Sequence, residues 1–215
     1  MPRLSPAAGT FAALALAAVA SLSAQTSFAA DNAPPARVRA TIVAMHGNAI
    51  DVADNAGNKA TVTLPSEMTV TEVAPIEPSA IKAGSYIGTA AMKQPDGTLR
   101  ALEVHVFPEA MRGTGDGHRP YDLGPNSTMT NGTVEQAGAV TSVSGTQGRT
   151  LSVKYKDGEQ RIVVPSDVPI VTFAPGRRDA LKAGAHVVMF VRTDAQGTLI
   201  AQRVLVGKDG MVPPM

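Results

Sequence analysis

Three observations predict an all-β chain built from two similar halves. Short runs rich in Val, Ile and Thr recur along the sequence, each closed by a cluster of Gly, Pro, Asn or Asp. The pattern of residues 62–106 returns without a gap in residues 162–206. One stretch, residues 107–133, belongs to neither half and lies between them.

Residues 1–29 read as a leader. A short basic start with Arg3 precedes an alanine-rich apolar run over residues 11–22, and Ser27-Phe28-Ala29 places small residues before a cleavage point after Ala29. About twenty apolar residues are needed to span a bilayer, and this run is shorter. The expectation is a periplasmic or secreted protein with no membrane span after cleavage. The 19 basic and 18 acidic residues leave a formal charge of +1, and loss of Arg3 brings it to zero. A neutral chain has no field to gather nucleic acid. With no cysteine, disulfides and thiolate chemistry are excluded.

Residues 30–37, with Pro34 and Pro35, should form a flexible arm. Residues 38–45 are β-branched and stop at His46-Gly47-Asn48. Residues 49–53 form a short strand, and 54–58 a hairpin turn by composition. Residues 59–64 alternate, with Ala60, Val62 and Leu64 on one face, and Pro65-Ser66 ends them. Residues 69–73 resume an extended course. Residues 79–83 suit one helical turn with Gly84 as its stop. Residues 85–92 and 99–107 are two further strands around the turn 94–97.

An offset of one hundred residues then repeats the scheme. Pro65-Ser66, Ala74-Pro75, Lys82-Ala83-Gly84 and Gly97-Thr98-Leu99 return as Pro165-Ser166, Ala174-Pro175, Lys182-Ala183-Gly184 and Gly197-Thr198-Leu199. Copy one spans residues 38–107 and copy two 133–206; residues 207–215 follow as a flexible tail. Each copy holds five strands and one helical turn. Open edges on short strands invite aggregation, so each copy is expected to close into a small five-stranded barrel, of which the oligonucleotide/oligosaccharide-binding (OB) type is one form. A single copy would bury only about 60% of its unfolded surface, so the two should dock.

The Leu-Lys-Ala-Gly…Gly-Thr-Leu-Ala pattern of residues 181–201 resembles exported bacterial OB-like barrels of a domain-of-unknown-function family, often found in tandem. Residues 104–115, 117–120 and 127–132 resemble a narrower proteobacterial subset, some of whose members carry the label of a metal ABC transporter permease. The chain departs from that label, because a permease needs several membrane helices. The resemblance implies a fold and an export route, and no activity.

The candidate chemistry lies in the central stretch, which the Gly, Pro and Asn content predicts to be neither helix nor regular strand. Glu109, Arg112, Asp116, His118, Arg119, Tyr121 and Asp122 crowd into it as candidate ligand-binding residues. Phe107, Met111, Tyr121 and Leu123 supply apolar anchors, so an ordered loop packed across both barrels is expected. Arg112 and Arg119 should pair with Glu109, Asp116 and Asp122. A transition metal such as zinc, nickel or copper is the possible cofactor, with His105, Glu109, Asp116 and His118 as ligands. His46 and His186 have no partner at ligand spacing. Met111, Met129, Met211 and Met215 could hold cuprous ion, but methionine more often fills apolar gaps, and the tail methionines are expected to fray. No catalytic triad, dyad or nucleophile elbow is present. The sequence therefore predicts a binding or interaction module whose partner is an unknown periplasmic protein or small ligand. A metal-handling protein using His105 and His118 is the alternative, and an enzyme the third reading.

Overall fold

The computed structural model describes residues 35–143 and 146–215, with the side chains of residues 139–147 also left aside. The expected leader, and the arm up to residue 34, lie outside the described residues. The rest is all-β. The first half holds β1 (Ala36–His46), β2 (Ala49–Ala53), β3 (Lys59–Thr63), β4 (Thr69–Pro75), β5 (Tyr86–Lys93) and β6 (Leu99–Val106). The central stretch contributes β7 (Gly117–Pro120). The second half holds β8 (Ser127–Val143), β9 (Thr146–Tyr155), β10 (Gly158–Pro165), β11 (Ile170–Pro175), β12 (His186–Thr193) and β13 (Leu199–Gly207). The two expected helical turns are single 3-10 turns, Pro78–Ala80 and Arg178–Ala180.

All the strands join one 13-stranded sheet, and it closes on itself twice. One circuit runs β1-β2-β3-β13-β12 and back to β1; the other runs β5-β6-β10-β9-β8 and back to β5. This corrects the expectation that residues 38–107 and 133–206 each close alone. β1 pairs with β12, Thr41 opposite His186, and β8 pairs with β5, Thr133 opposite Tyr86. The two halves have exchanged strands. The reason lies in the repeat itself. Equivalent strands offer equivalent edges, so pairing within a copy and pairing between copies satisfy the same alternation. As a result the second circuit is contiguous in the chain, while the first is assembled from both ends of the described chain.

A local two-fold axis relates the halves. β4 and β11 pair antiparallel, with Thr71 opposite Pro175, Val73 opposite Phe173 and Pro75 opposite Val171. The offset of one hundred maps this ladder onto itself, so the axis passes through the Val73–Phe173 pair. The turn stops obey the same symmetry: the Gly184 N–H donates to the Ile42 carbonyl and the Gly84 N–H to the Val134 carbonyl, both at 2.8 Å. Each circuit encloses its own apolar core. Ile42, Ile50, Val62, Leu64, Val187 and Met189 fill the first. Ile87, Val104, Leu151, Val153 and Ile162 fill the second. A third cluster, Val73, Val171, Phe173, Val188, Leu205 and Met215, lies apart from those two and includes the axis pair.

The tail expected to fray belongs to that third cluster. Met215 is only 4% exposed, and its carbonyl accepts a hydrogen bond from Arg39 Nε at 2.6 Å. Fixing one backbone residue costs about 1–2 kcal/mol, while burying a methionine gains about 1.5–3 kcal/mol. One anchor therefore cannot order several residues. The 3-10 turn Lys208–Gly210, Pro213, Pro214 and the partly buried Met211 supply the remainder. The tail also packs so close to Gly207 that a β-carbon there would lie 1.7 Å from the Met211 carbonyl oxygen.

Two expectations can be measured. Gly84 and Gly184 both sit at φ +84°, where a β-carbon is strained although space is open around it. Gly84→Val or Gly184→Val should each cost about 1–3 kcal/mol in urea unfolding; unchanged midpoints would contradict the assignment. The exchange further predicts that a fragment of residues 76–170, carrying the contiguous circuit, unfolds cooperatively by itself, whereas residues 36–107 alone do not. A cooperatively folded 36–107 fragment would show that a copy closes without its partner.

Candidate functional site

The central stretch leaves β6 and returns to β8, which flank β5 on either side. It is more regular than its composition suggested. Glu109–Met111 is a 3-10 turn, and β7 pairs with the start of β8, Gly117 opposite Asn131 and Arg119 opposite Met129. β7 thus covers the edge that β9 leaves open, since β9 pairs with β8 only from Thr133 onward. Phe107 and Met111 are partly buried against the third apolar cluster, as the anchor reading expected.

The expected ion pairs are partly redistributed. Arg112 does pair with Glu109, at 2.6 and 2.7 Å, and also donates to the Gly84 carbonyl at 3.0 Å. Asp116 accepts the Lys156 N–H at 2.8 Å and the Tyr86 hydroxyl at 3.3 Å. Arg119 donates to the Gly115 carbonyl at 2.8 Å. Asp122 is the correction. It pairs with Arg37 and Arg39 on β1, Arg39 donating at 2.9 and 3.2 Å, and not with Arg112 or Arg119. A loop carboxylate next to β8 therefore grips a strand of the other circuit. The Arg39 hydrogen bond holds the Asp122 pKa below its ordinary value, against partial burial and with help from the charges of Arg37 and Arg39.

The two candidate metal histidines do not meet. His105 is 4% exposed on β6, with Nε2 3.1 Å from Oε1 of the fully buried Glu103. That contact lacks the alignment of a hydrogen bond. The His105 ring stands edge-on to Phe173, centroids 5.5 Å apart. His118, on β7, shares a 2.8 Å hydrogen bond with the Thr130 hydroxyl and stacks on Tyr155; partial burial lowers its pKa. It lines a different cleft, beside Gln94 and Pro120. Glu109 and Asp116 are engaged elsewhere, as above. Among the described residues no three His, Asp or Glu side chains are grouped to share a metal.

What the fold does gather is a pocket of about 260 Å³ beside the third apolar cluster. Of the central-stretch candidates only Arg119 and Tyr121 line it. His105 lines it too. The anchors Phe107 and Met111 and the methionines Met129 and Met215, weighed above for cuprous ion, line it as well, whereas Arg37, Arg203, Phe173 and Phe190, also in its walls, were not singled out in the sequence. Arg37 stacks on Tyr121, its guanidinium carbon 4.5 Å from the ring centre. Burial, reinforced by the charge of Glu103, pushes the Tyr121 pKa up to about 12. Arg37 Nε and Asn131 Oδ1 are buried without a hydrogen-bond partner in the chain. A signal for these residues did exist. Arginines at 37 and 39 interrupt an apolar run, and Arg203 stands at the repeat position where copy one has Glu103.

Comparison with protein-family models, with curated proteins and with solved structures gave no match for this chain.

The Asp122 brace carries a pH prediction. Its folded-state pKa is depressed, so its contribution is complete above the ordinary value of 3.8 and is lost as pH falls through the folded value. Asp122→Asn should therefore unfold more readily than the parent at pH 7, and the gap should close in acid below the depressed pKa. A gap that persists unchanged at pH 2 would assign the effect to packing. The carboxylate is about half exposed, so the neutral-pH difference should be modest.

Proposed function

We propose that this chain is a non-catalytic binding module, exported by a cleaved leader to the periplasm or beyond, with its ligand held in the central pocket. Each five-strand circuit is read as a small OB-like barrel, in keeping with the resemblance seen in the sequence. The observation that carries the binding reading is the composition of the pocket. Aromatic and methionine walls adjoin buried polar atoms, Arg37 Nε and Asn131 Oδ1, that have no partner in the chain. Buried polar groups are rarely left unsatisfied in a fold without reason, and few convergent polar groups in an apolar concavity are the usual form of a small-ligand site. The central stretch then serves as the wall of the site. Tyr121 and Arg119 face the ligand, while Glu109, Arg112, Asp116 and Asp122 hold the stretch in place. His118 lies outside the pocket and is read as structural.

Thermal unfolding against a panel of small neutral, anionic and cationic aromatic and aliphatic compounds tests the reading, since a ligand of the folded state alone raises the midpoint in proportion to its affinity. Thr114 is exposed at the pocket, so Thr114→Trp should narrow it without touching a core. Some member of the panel should raise the parent's midpoint, and Thr114→Trp should abolish that rise while leaving the unliganded midpoint close to the parent's. A rise that survives in Thr114→Trp would place binding elsewhere and refute the pocket as the site.

A further inference from the structure

The pocket carries a charge pattern that points to the chemistry of its ligand. On β12, Phe190 stands opposite Arg37 of β1 on one side and opposite Arg203 of β13 on the other. The three residues form one row across three adjacent strands, and all three line the pocket. Both guanidinium groups lean on the same ring, 5.4 Å for Arg37 and 4.0 Å for Arg203. The equivalent row of the other circuit is Met129, Ala90 and Glu103. The local two-fold therefore repeats the backbone, but only one row brings two cations side by side.

That row is electrostatically unfinished. Asp122 answers Arg37 and Arg39. Among the described residues no carboxylate is paired with Arg203; its contact is with the face of Phe190. Burial, and then the neighbouring charge of Arg37, hold the Arg203 pKa below its ordinary value. A half-buried cation facing a second cation costs free energy unless an anion joins them. The other charged or titratable groups around the pocket are Arg119, His105, Tyr121, which burial keeps protonated, and, behind His105, Glu103. Glu103 lies 3.1 Å from His105 Nε2 with neither carboxylate oxygen in a hydrogen bond, and it does not line the pocket. A cation would meet Arg37, Arg119 and Arg203 and be repelled. Beyond the arginines the walls are Phe107, Phe173, Leu205 and Met215, which favour an apolar body. An apolar cavity of about 150 Å³ accepts benzene, so about 260 Å³ accommodates an aryl or short alkyl group with a head group attached.

We propose, resting on the reading of this pocket as the binding site, that its ligand is a small organic anion: an oxyanion head group seated between Arg203 and Arg37, with an aryl or short aliphatic body against the phenylalanines. Arg203 is the specificity-determining residue and Arg37 its partner. A guanidinium presents planar, forked donors that match a carboxylate in two parallel bonds.

Calorimetric titration with matched probes tests this. Phenylacetate and hexanoate should bind at least about tenfold more tightly than phenylacetamide and hexanamide, because an anion removed from a paired buried site leaves the partner charge stranded. Inorganic phosphate should bind more weakly than either acid, since it lacks the apolar body. Arg203→Met should abolish the preference of acid over amide, and Arg203→Lys should retain part of it. The thermal midpoint of the ligand-free protein supplies an independent readout. Removing an unanswered cation beside Arg37 should raise it in Arg203→Met, whereas a purely structural stacking role on Phe190 would lower it. Equal affinity for acid and amide, or a lowered midpoint with the preference intact, would overturn the inference about charge and leave the binding reading standing. No binding of any of these probes would overturn the inference together with the reading beneath it.

Discussion

The antiparallel ladder between β4 and β11 is the joint on which the molecule depends. It ties the edge of β13 in one circuit to the edge of β6 in the other. Thirteen strands therefore form one continuous sheet. β13 divides one edge between β3 and β4, and β6 divides one between β10 and β11. The joint thus occupies edges that would otherwise be exposed beyond the point where each circuit closes, which is where unpaired strands recruit other chains. Because the Val73–Phe173 pair sits on the axis, the third apolar cluster grows outward from it. The pocket borders that cluster and shares Phe173, Leu205 and Met215 with it.

The proposed site lies where symmetry is broken. A faithful duplication would place the same row of side chains in both circuits. Here one circuit has Met129, Ala90 and Glu103, and the other Arg37, Phe190 and Arg203. The central stretch has no counterpart in the repeat. It adds Tyr121, Arg119 and the Asp122 brace to one side only. The backbone repeat supplies the framework, and the divergence of a few strand positions sets the side chains of the pocket. Function argued from a fold of this kind must rest on those positions and not on the architecture.

Much of this was legible in the chain. Alternation and turn residues placed nearly every strand, because Val and Thr at alternating positions and Gly at φ > 0 leave few alternatives. The offset of one hundred between Gly84 and Gly184 revealed the repeat. Which of two equivalent edges each strand would choose was not legible, since His186 and Tyr86 present the same kind of strand to Thr41. β7 was hidden because Gly117, His118, Arg119 and Pro120 have little strand propensity; pairing with β8 overrides it. In the site, the crowding of charge over residues 109–122 drew notice to groups that mostly brace the loop. The pocket's arginines come from β1 and β13, too far apart in sequence for any local motif to join them.

The exchange of strands also favours an order of assembly. Thr41 meets His186 across 145 residues of chain, where pairing within its own copy would need a loop about a third as long. Loop-closure entropy grows only logarithmically, so the longer closure costs roughly 1 kcal/mol more. Its effect on timing is greater. The circuit of β5, β6, β8, β9 and β10 has all its strands within residues 86–165, whereas β1, β2 and β3 close only with β12 and β13. Contacts so distant in sequence are slow to form, so the circuit that holds β1, β2 and β3 is expected to close after the contiguous one. Arg37 and Arg203 are brought together only when that circuit closes, so the pocket is expected to form late.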